Sequence, residues 1–152
     1  MRISARADYA VRAIAELAKH EGDGPETAEE IARQQDIPHR FLEGILTDLR
    51  RSGLIASTRG ARGGHQLARP GDAITVADII RAVEGPLVWV RDARPSDIEL
   101  DGAAGPLVHV WVALRANVRA VLESVTAADL ANDQLPASIT ALTADDSAWS
   151  QA

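Results

Sequence analysis

The chain has 152 residues and a mass of 16.2 kDa, which suits one compact domain with an appendage. It contains no cysteine, and this excludes disulfides, thiolate nucleophiles, zinc–thiolate sites and cysteine-ligated iron–sulfur clusters. No apolar run reaches about 18 residues, and charged residues stand where a signal peptide would need an apolar segment. We therefore expect a cytoplasmic protein.

The net charge of −6 is unevenly distributed along the chain. Residues 71–152 hold five basic residues and twelve acidic ones, whereas residues 37–70 hold six arginines against Glu43 and Asp48. Salt screens charges that are more than roughly 8 Å apart. The segment 37–70 can therefore attract a phosphate-rich partner although the whole chain is acidic.

Two helices are predicted at the start of the chain. Apolar residues recur at helical spacing over residues 4–20, with Glu16 and the basic residues on other faces. After a break rich in glycine, Thr27 and Glu30 form the T-x-x-E capping box that begins the second helix. Residues 36–38 are predicted to form the turn that follows it.

A third helix is predicted from about Pro38 to Gly53, because proline fits the first turn of a helix and glycine fits its C-terminal cap. Its apolar stripe faces the first two helices and consists of Leu42, Ile45, Leu46 and Leu49. Its opposite, polar face consists of His39, Arg40, Glu43, Thr47 and Arg50.

Two short strands, residues 54–59 and 65–68, are predicted after this helix, joined by a loop of glycine and arginine. Helix, turn, helix and hairpin in this order indicate a winged helix-turn-helix. A helix with a polar outer face fits the major groove of duplex DNA, and a flexible basic wing can follow the minor groove. The residues predicted to contact DNA are His39, Arg40, Glu43, Thr47, Arg50, Arg59, Arg62, Gly63, Gly64 and His65.

Other interpretations of these segments remain open. The polar face of the third helix could be an ordinary solvated surface. The glycine-rich loop could cradle a nucleotide phosphate, but it lacks the Lys-Ser/Thr pair and the following helix of a P-loop. The whole winged helix could also be a protein-interaction module that does not read DNA, which the acidic net charge favours.

A fourth helix and an irregular loop are predicted after the wing. Thr75 begins a fourth helix that Gly85 ends, and residues 91–106 show no periodic pattern. We divide the chain into a winged-helix domain (1–86), a connecting strand and loop (87–106), a dimerisation helix (107–131) and a flexible tail (132–152). The fold class is thus mainly α with a small β-hairpin.

The long helix carries more apolar surface than so small a domain can cover, so we predict that it packs against its twin in a homodimer. The residues predicted at this interface are Leu107, Trp111, Leu114, Val118, Val121, Leu122 and Val125. Trp89 and Trp111 are expected in the core or the interface, or alternatively as walls of a site for a small-molecule effector. A regulatory protein partner is the other possible signal.

No chemistry other than binding is indicated. The four histidines lack the H-x-x-x-H or H-E-x-x-H spacing of a metal site, so no metal is expected. No nucleophile and base stand in a recognisable arrangement, so we expect no enzyme.

Several segments between residues 1 and 130 resemble the Rrf-type winged-helix regulators of bacteria, the family of IscR, NsrR and CymR. The matching segments are residues 2–4, 8–10, 30–32, 41–43, 49–55, 59–60, 63–64, 67–70 and 74–85. The departures are His65, where tyrosine is common in the family, and Pro38, where a polar cap is common.

The resemblance implies a homodimeric transcription regulator, usually a repressor, that binds a partly palindromic operator. It implies that Glu43 reads a base and that Arg59 and Arg62 lie near the minor groove. Cluster-binding members carry three cysteines in the loop corresponding to residues 91–106, and a residue near Asp8 can complete their site. Because this chain has no thiol, we expect no cluster as cofactor and a solvent-facing or capping role for Asp8.

Overall fold

The structure of the chain is a computed structural model that describes residues 1–150. Its elements are α1 (Ala5–Lys19), α2 (Ala28–Gln35), α3 (His39–Arg51), β1 (Ile55–Thr58), β2 (Gly64–Leu67), α4 (Val76–Glu84), α5 (Leu107–Ser124), α6 (Ala127–Ala131) and α7 (Ala137–Leu142). The two strands form one antiparallel hairpin, with Ser57 opposite His65 and Thr58 opposite Gly64. The predicted mainly helical fold with a wing is confirmed.

Local signals fix where the first helices begin and end. The Ser4 hydroxyl accepts a hydrogen bond from the Ala7 amide at 3.0 Å and caps α1. Thr27 and Glu30 form the predicted capping box of α2. Asp36 then takes a left-handed conformation that turns the chain into α3.

The core lies between α1, α2, α3 and α4 and is built from aliphatic side chains. Ile14, Ile31 and Ile79 are fully buried in it, as is the apolar stripe of α3. Arg6 of α1 forms an ion pair with Asp48 of α3. Packing and this ion pair together fix the orientation of α3, and they leave its polar face outside.

The wing is attached to the helical core through the loop between α1 and α2. The Glu26 amide donates to the His65 carbonyl at 2.9 Å, and the His65 amide donates to the Glu26 carbonyl at 2.6 Å. A Cβ atom added at Gly64 would lie 2.4 Å from the Glu26 carbonyl oxygen. Only glycine therefore allows this close approach of the two backbones.

The C-terminal end of α5 returns to the winged-helix core. The Val76 amide donates to the Val125 carbonyl, and the Ala127 amide donates to the Ile74 carbonyl, each at 2.9 Å. Thr126 and Asp129 form a capping box for α6, which packs on α1. Residues beyond the predicted boundary at 86 thus complete the core of the winged helix.

Three features differ from the sequence-based expectations or extend them. Residues 87–90 pair with no strand, and Val90 forms only an isolated bridge with Ala93. Glu16, expected on a polar face, is 5% exposed, because α2 and the loop before it cover it. The predicted flexible tail contains α7, whose side chains are mostly exposed, and its flexibility stays a prediction. The last two residues of that tail, 151–152, lie outside the described residues.

Candidate nucleic-acid interface

The outer face of α3 presents polar side chains to solvent. The His39 Nδ1 atom lies 3.9 Å from the Glu43 Oε1 atom, one helical turn away. The Thr47 hydroxyl donates to the Glu43 carbonyl at 2.9 Å. The Arg40 guanidinium lies 4.8 Å from the centre of the Phe41 ring, in a cation–π contact. The Glu43 carboxylate stays exposed and can accept hydrogen bonds from an external donor.

A groove separates α3 from the wing. It has a volume of about 330 Å³ and is lined by Ala28, Glu43, Leu46, Thr47, Arg50 and His65. The sequence-predicted residues of the helix and of the wing therefore meet on one surface. We call this surface, from His39 of α3 across the groove to the wing loop, the α3–wing face.

His65 lies at the inner end of the wing, half-buried. Its Nδ1 atom is 2.9 Å from the Ser57 hydroxyl on the neighbouring strand. Burial lowers the pKa of His65 below its ordinary value, and the positive charge of Arg50 lowers it further. The imidazole is therefore neutral at neutral pH and acts through hydrogen bonds, while Arg50 provides positive charge beside it.

The tip of the wing carries the remaining predicted residues. Arg59 and Arg62 are exposed there, and both stand clear of the helical core. A Cβ atom added at Gly63 would lie 2.1 Å from the Thr58 carbonyl oxygen, so the tight loop requires glycine. The loop consequently displays two guanidinium groups at the end of a short hairpin.

The other predicted site residues lie away from the α3–wing face. Trp89 is 47% exposed in the segment after α4, and Trp111 is half-buried on α5. Leu107, Leu114, Val118, Val121 and Leu122 are exposed or half-buried on α5. Val125 does not belong to this exposed surface, because it is buried against the start of α4 in its own chain.

The structure adds residues that the sequence analysis did not assign to the site. Ser57 positions the His65 ring, and Arg6 fixes α3 through Asp48 and the Gly44 carbonyl. Pairing across the hairpin register could have indicated Ser57 in advance, since it lies opposite His65. Nothing local in the sequence indicates Arg6, which is distant from α3 along the chain.

Asp8 is solvent-facing, as expected, and its carboxylate accepts from Arg12 at 3.1 Å.

Comparison with known proteins decides the family. The sequence profile of the Rrf2 family, described as iron-dependent transcriptional regulators, matches residues 3–133. The chain belongs to the Rrf2 family. It is a winged helix-turn-helix transcriptional regulator and not an enzyme.

Relatives of this Rrf2 chain cover nearly its whole length. Rv1287 of Mycobacterium tuberculosis (strain ATCC 25618 / H37Rv), which its name assigns to the HTH-type transcriptional regulators, is 46% identical over 146 residues, 96% of this chain and 90% of that protein. The transcriptional regulator CymR of Bacillus subtilis (strain 168) is 38% identical over 135 residues, 87% of this chain and 91% of CymR.

The solved structures that resemble this chain belong to the same regulators as its sequence relatives. The structure of CymR from B. subtilis, called the global cysteine regulator, matches with a TM-score of 0.73 and 36% identity over 88% of this chain and 98% of CymR. The structure of IscR from T. potens matches with a TM-score of 0.72 and 32% identity over 100% of this chain and 94% of IscR. Among residues 1–150, every helix is too short or too polar to cross a membrane.

Proposed function

We propose that this Rrf2-family chain acts as a homodimer that represses transcription by binding a partly palindromic operator. In each half-site α3 enters the major groove and the wing follows the adjacent minor groove. The observation that supports this proposal most directly is the α3–wing face, which joins Glu43, Thr47, Arg50 and His65 around one open groove.

Charge and shape on this face suit a duplex. Arg59 and Arg62 project from the wing, and Arg40 and Arg50 lie on the exposed face of α3. Cations at the edges of the face can neutralise phosphates, while groups at its centre can reach base edges. The acidic half of the chain carries α5 and the tail, and so it need not face the phosphates.

The exposed apolar surface of α5 supports the homodimer. Every residue of α5 is described, and none of them is buried. Val110, for example, is 55% exposed, and Met1 and Ile3 line a groove beside Val118 and Val121. A twin helix that covers this surface would remove it from water and would place two α3–wing faces about a twofold axis.

The signal that controls the regulator is proposed to be a small molecule or a partner protein, because the sequence offers no thiol for an iron–sulfur cluster. A small molecule would lie near Trp89 and Trp111, whereas a protein partner would contact the loop 91–106. Binding of a metabolite at the first site should change tryptophan fluorescence. A panel of metabolites that leaves the fluorescence unchanged would favour the partner protein, which affinity capture would then recover.

Selection of bound duplexes from a random pool tests the proposed DNA recognition. The purified chain is mixed with the pool at about 150 mM salt, which suppresses non-specific phosphate binding. We expect a twofold-symmetric motif with half-sites about one helical turn apart. No motif at this salt, and no selective retention at lower salt, would instead support the alternative of a protein-interaction module, which the net charge of −6 favours.

A further inference from the structure

A compact group of polar side chains lies where the end of α1, the loop after it and α2 meet. Glu16 comes from the last turn of α1, His20 caps the C-terminal end of that helix, Glu26 comes from the loop before α2, and Gln34 comes from α2. The ligand atoms that Glu16, His20 and Glu26 offer all lie within 4.8 Å of one another. We call these four residues the α1–α2 cluster.

The distances inside the α1–α2 cluster match those around a metal ion. The His20 Nε2 atom is 3.2 Å from Glu16 Oε1 and 4.0 Å from Glu26 Oε1. The end of the Gln34 amide is 3.0 Å from that Glu16 oxygen and 3.2 Å from that Glu26 oxygen. Ligands bonded at about 2.1 Å to one ion are separated by roughly 3.0 to 4.2 Å, depending on the angle between them.

The Gln34 amide can serve the cluster in two ways. With its nitrogen turned inward, it donates to both carboxylates. With its oxygen turned inward, it becomes a fourth ligand for a cation, because an amide oxygen coordinates divalent ions. A half-turn of one exposed side chain therefore converts a hydrogen-bonded cluster into a coordination site.

The Glu26 carboxylate is only partly satisfied within the chain, whereas Glu16 Oε2 accepts a hydrogen bond from Gln35 Nε2. The Glu16 side chain is buried, the Glu26 side chain is 13% exposed, and Glu26 Oε2 is buried without any hydrogen-bond partner. A divalent cation would compensate both carboxylates at once.

His20 is oriented as a ligand by a neighbouring carboxylate. Its Nδ1 atom faces Asp23 Oδ2 at 3.4 Å, and its Nε2 atom faces the two glutamates. An Nδ1 proton shared with Asp23 leaves the Nε2 lone pair directed into the cluster. Metal-binding histidines commonly have such a carboxylate on the opposite ring nitrogen.

We propose that Glu16, His20 and Glu26, assisted by Gln34, bind one divalent first-row transition-metal ion per chain. Carboxylate and amide oxygens with one imidazole, and no sulfur, suit Mn²⁺, Fe²⁺ or Zn²⁺. The site needs no cysteine. The histidine spacing gave no sign of it, because the site holds a single histidine, and the other groups come from α1, from the loop after it and from α2.

The site is connected to the wing through a ligand residue. The Glu26 backbone exchanges two hydrogen bonds with His65, and the Glu26 side chain belongs to the cluster. An ion that fixes Glu26 therefore also fixes the inner end of the wing. We further infer, on the basis of the proposed function, that the bound ion increases DNA affinity by holding the wing in position.

Calorimetric titration of Mn²⁺ and of Zn²⁺ into the full chain, stripped of metal with EDTA and dialysed, tests the site. We expect saturable binding of one ion per chain, weakened about 10- to 100-fold by Glu26→Gln and by His20→Gln. His109→Gln, which changes an exposed histidine on α5, should leave binding unchanged. No saturable binding of either ion, or equal binding by the wild type and His20→Gln, would overturn the site. Circular dichroism establishes that each variant is folded.

Gel retardation with the selected duplex, in EDTA and then in Mn²⁺, tests the coupling to the wing. We expect the ion to tighten binding of the wild type at least about five-fold and to leave Glu26→Gln unchanged. DNA binding that is equal with and without the ion would overturn the coupling while leaving the regulator intact. Loss of DNA binding in both conditions would count against the proposed function, and the calorimetric result would still decide the metal site.

Discussion

Charged side chains on the α3–wing face have different roles in the proposed complex. Arg59 and Arg62 are exposed guanidinium groups at the wing tip, where they can contact phosphates or enter the minor groove. Glu43 is an exposed carboxylate on the same face, and its charge opposes the approach of phosphates. An anion at this position is compatible with DNA binding if it accepts a hydrogen bond from a base.

Arg62→Ala should weaken binding to every duplex, specific or random. Removal of one phosphate contact should also reduce the slope of log K against log salt by about one unit. Fluorescence anisotropy at several salt concentrations measures both quantities. Arg91→Ala, an exposed arginine outside the α3–wing face, provides the control. An unchanged slope in Arg62→Ala would place the wing tip away from the DNA.

Glu43→Ala should act on sequence preference. If Glu43 accepts from a cytosine amino group, its removal should relax discrimination at one position of each half-site by about 1–3 kcal/mol. Binding to duplexes with single base-pair changes in the selected motif measures this. A uniform change in affinity across all the duplexes would mean that Glu43 does not read a base.

Gly64→Ala should destabilise the chain, because the new Cβ atom would lie 2.4 Å from the Glu26 carbonyl oxygen. Separation of the wing from the α1–α2 loop should lower the free energy of unfolding by about 1–3 kcal/mol. An alanine at Gly64 is disfavoured both by this clash and by the positive φ of the position. Gly60→Ala measures the effect of a positive φ alone, since Gly60 has a φ of 111° but no atom within 4 Å of an added Cβ. Urea unfolding should therefore show a larger loss for Gly64→Ala. Equal losses would mean that backbone conformation alone explains both.

At the scale of the elements, the longest helix is held by polar contacts at one end. Arg81 of α4 and Arg119 of α5 both bind Glu123, and the Arg119 Nε atom donates to it at 3.0 Å. Hydrogen bonds from Arg119, then from Arg81, lower the pKa of Glu123 below its ordinary value. The Arg81–Glu123 pair joins the C-terminal part of α5 to α4.

Glu123→Gln should lower the thermal stability at neutral pH slightly, because the pair is solvent-exposed. A carboxyl group with a lowered pKa in the folded state stabilises the fold above its ordinary pKa, 4.5. This contribution is lost as the pH falls from there through the lowered pKa. Melting temperatures of wild type and variant, compared from pH 7 down to about pH 3, should therefore converge in acid. A difference independent of pH would show that Glu123 acts through packing.

At the scale of the whole molecule, α5 links the winged helix to the proposed partner chain. Its C-terminal end is held in the chain's own core by Val125, while its apolar surface stays exposed. The charge is arranged to match, because the arginines of the α3–wing face lie in the first half, whereas residues 71–152 carry the net negative charge with five basic and twelve acidic residues. The proposed DNA binding and the proposed self-association thus use separate surfaces.

Val121→Glu should dissociate the proposed dimer at micromolar concentration. Val121 is exposed in the single chain, so the change should leave the fold intact while burying a charge in the interface. Sedimentation velocity gives the mass in solution. Ala116→Glu, at another exposed position of α5, is the matched control and should remain dimeric. A wild-type chain that sediments at 16.2 kDa would contradict the homodimer itself.

The sequence by itself determined the elements whose signals are local. The Thr27–Glu30 capping box, the apolar stripe of α3 and the glycines of the wing gave the helices, the turn and the hairpin, because each signal acts within a few residues. The residues of the α3–wing face followed from the same patterns, since the side of α3 opposite its buried stripe must be exposed.

Tertiary structure alone decided which distant residues meet. Glu16 is buried, although its spacing suggested a polar face, because α2 and its preceding loop fold over the end of α1. Val125 turns inward because its carbonyl pairs with Val76, and α6 then completes the core. The α1–α2 cluster and its connection to the wing arise from such contacts as well. Local periodicity carries no information about pairing between segments that are far apart in sequence, so these features require the folded chain.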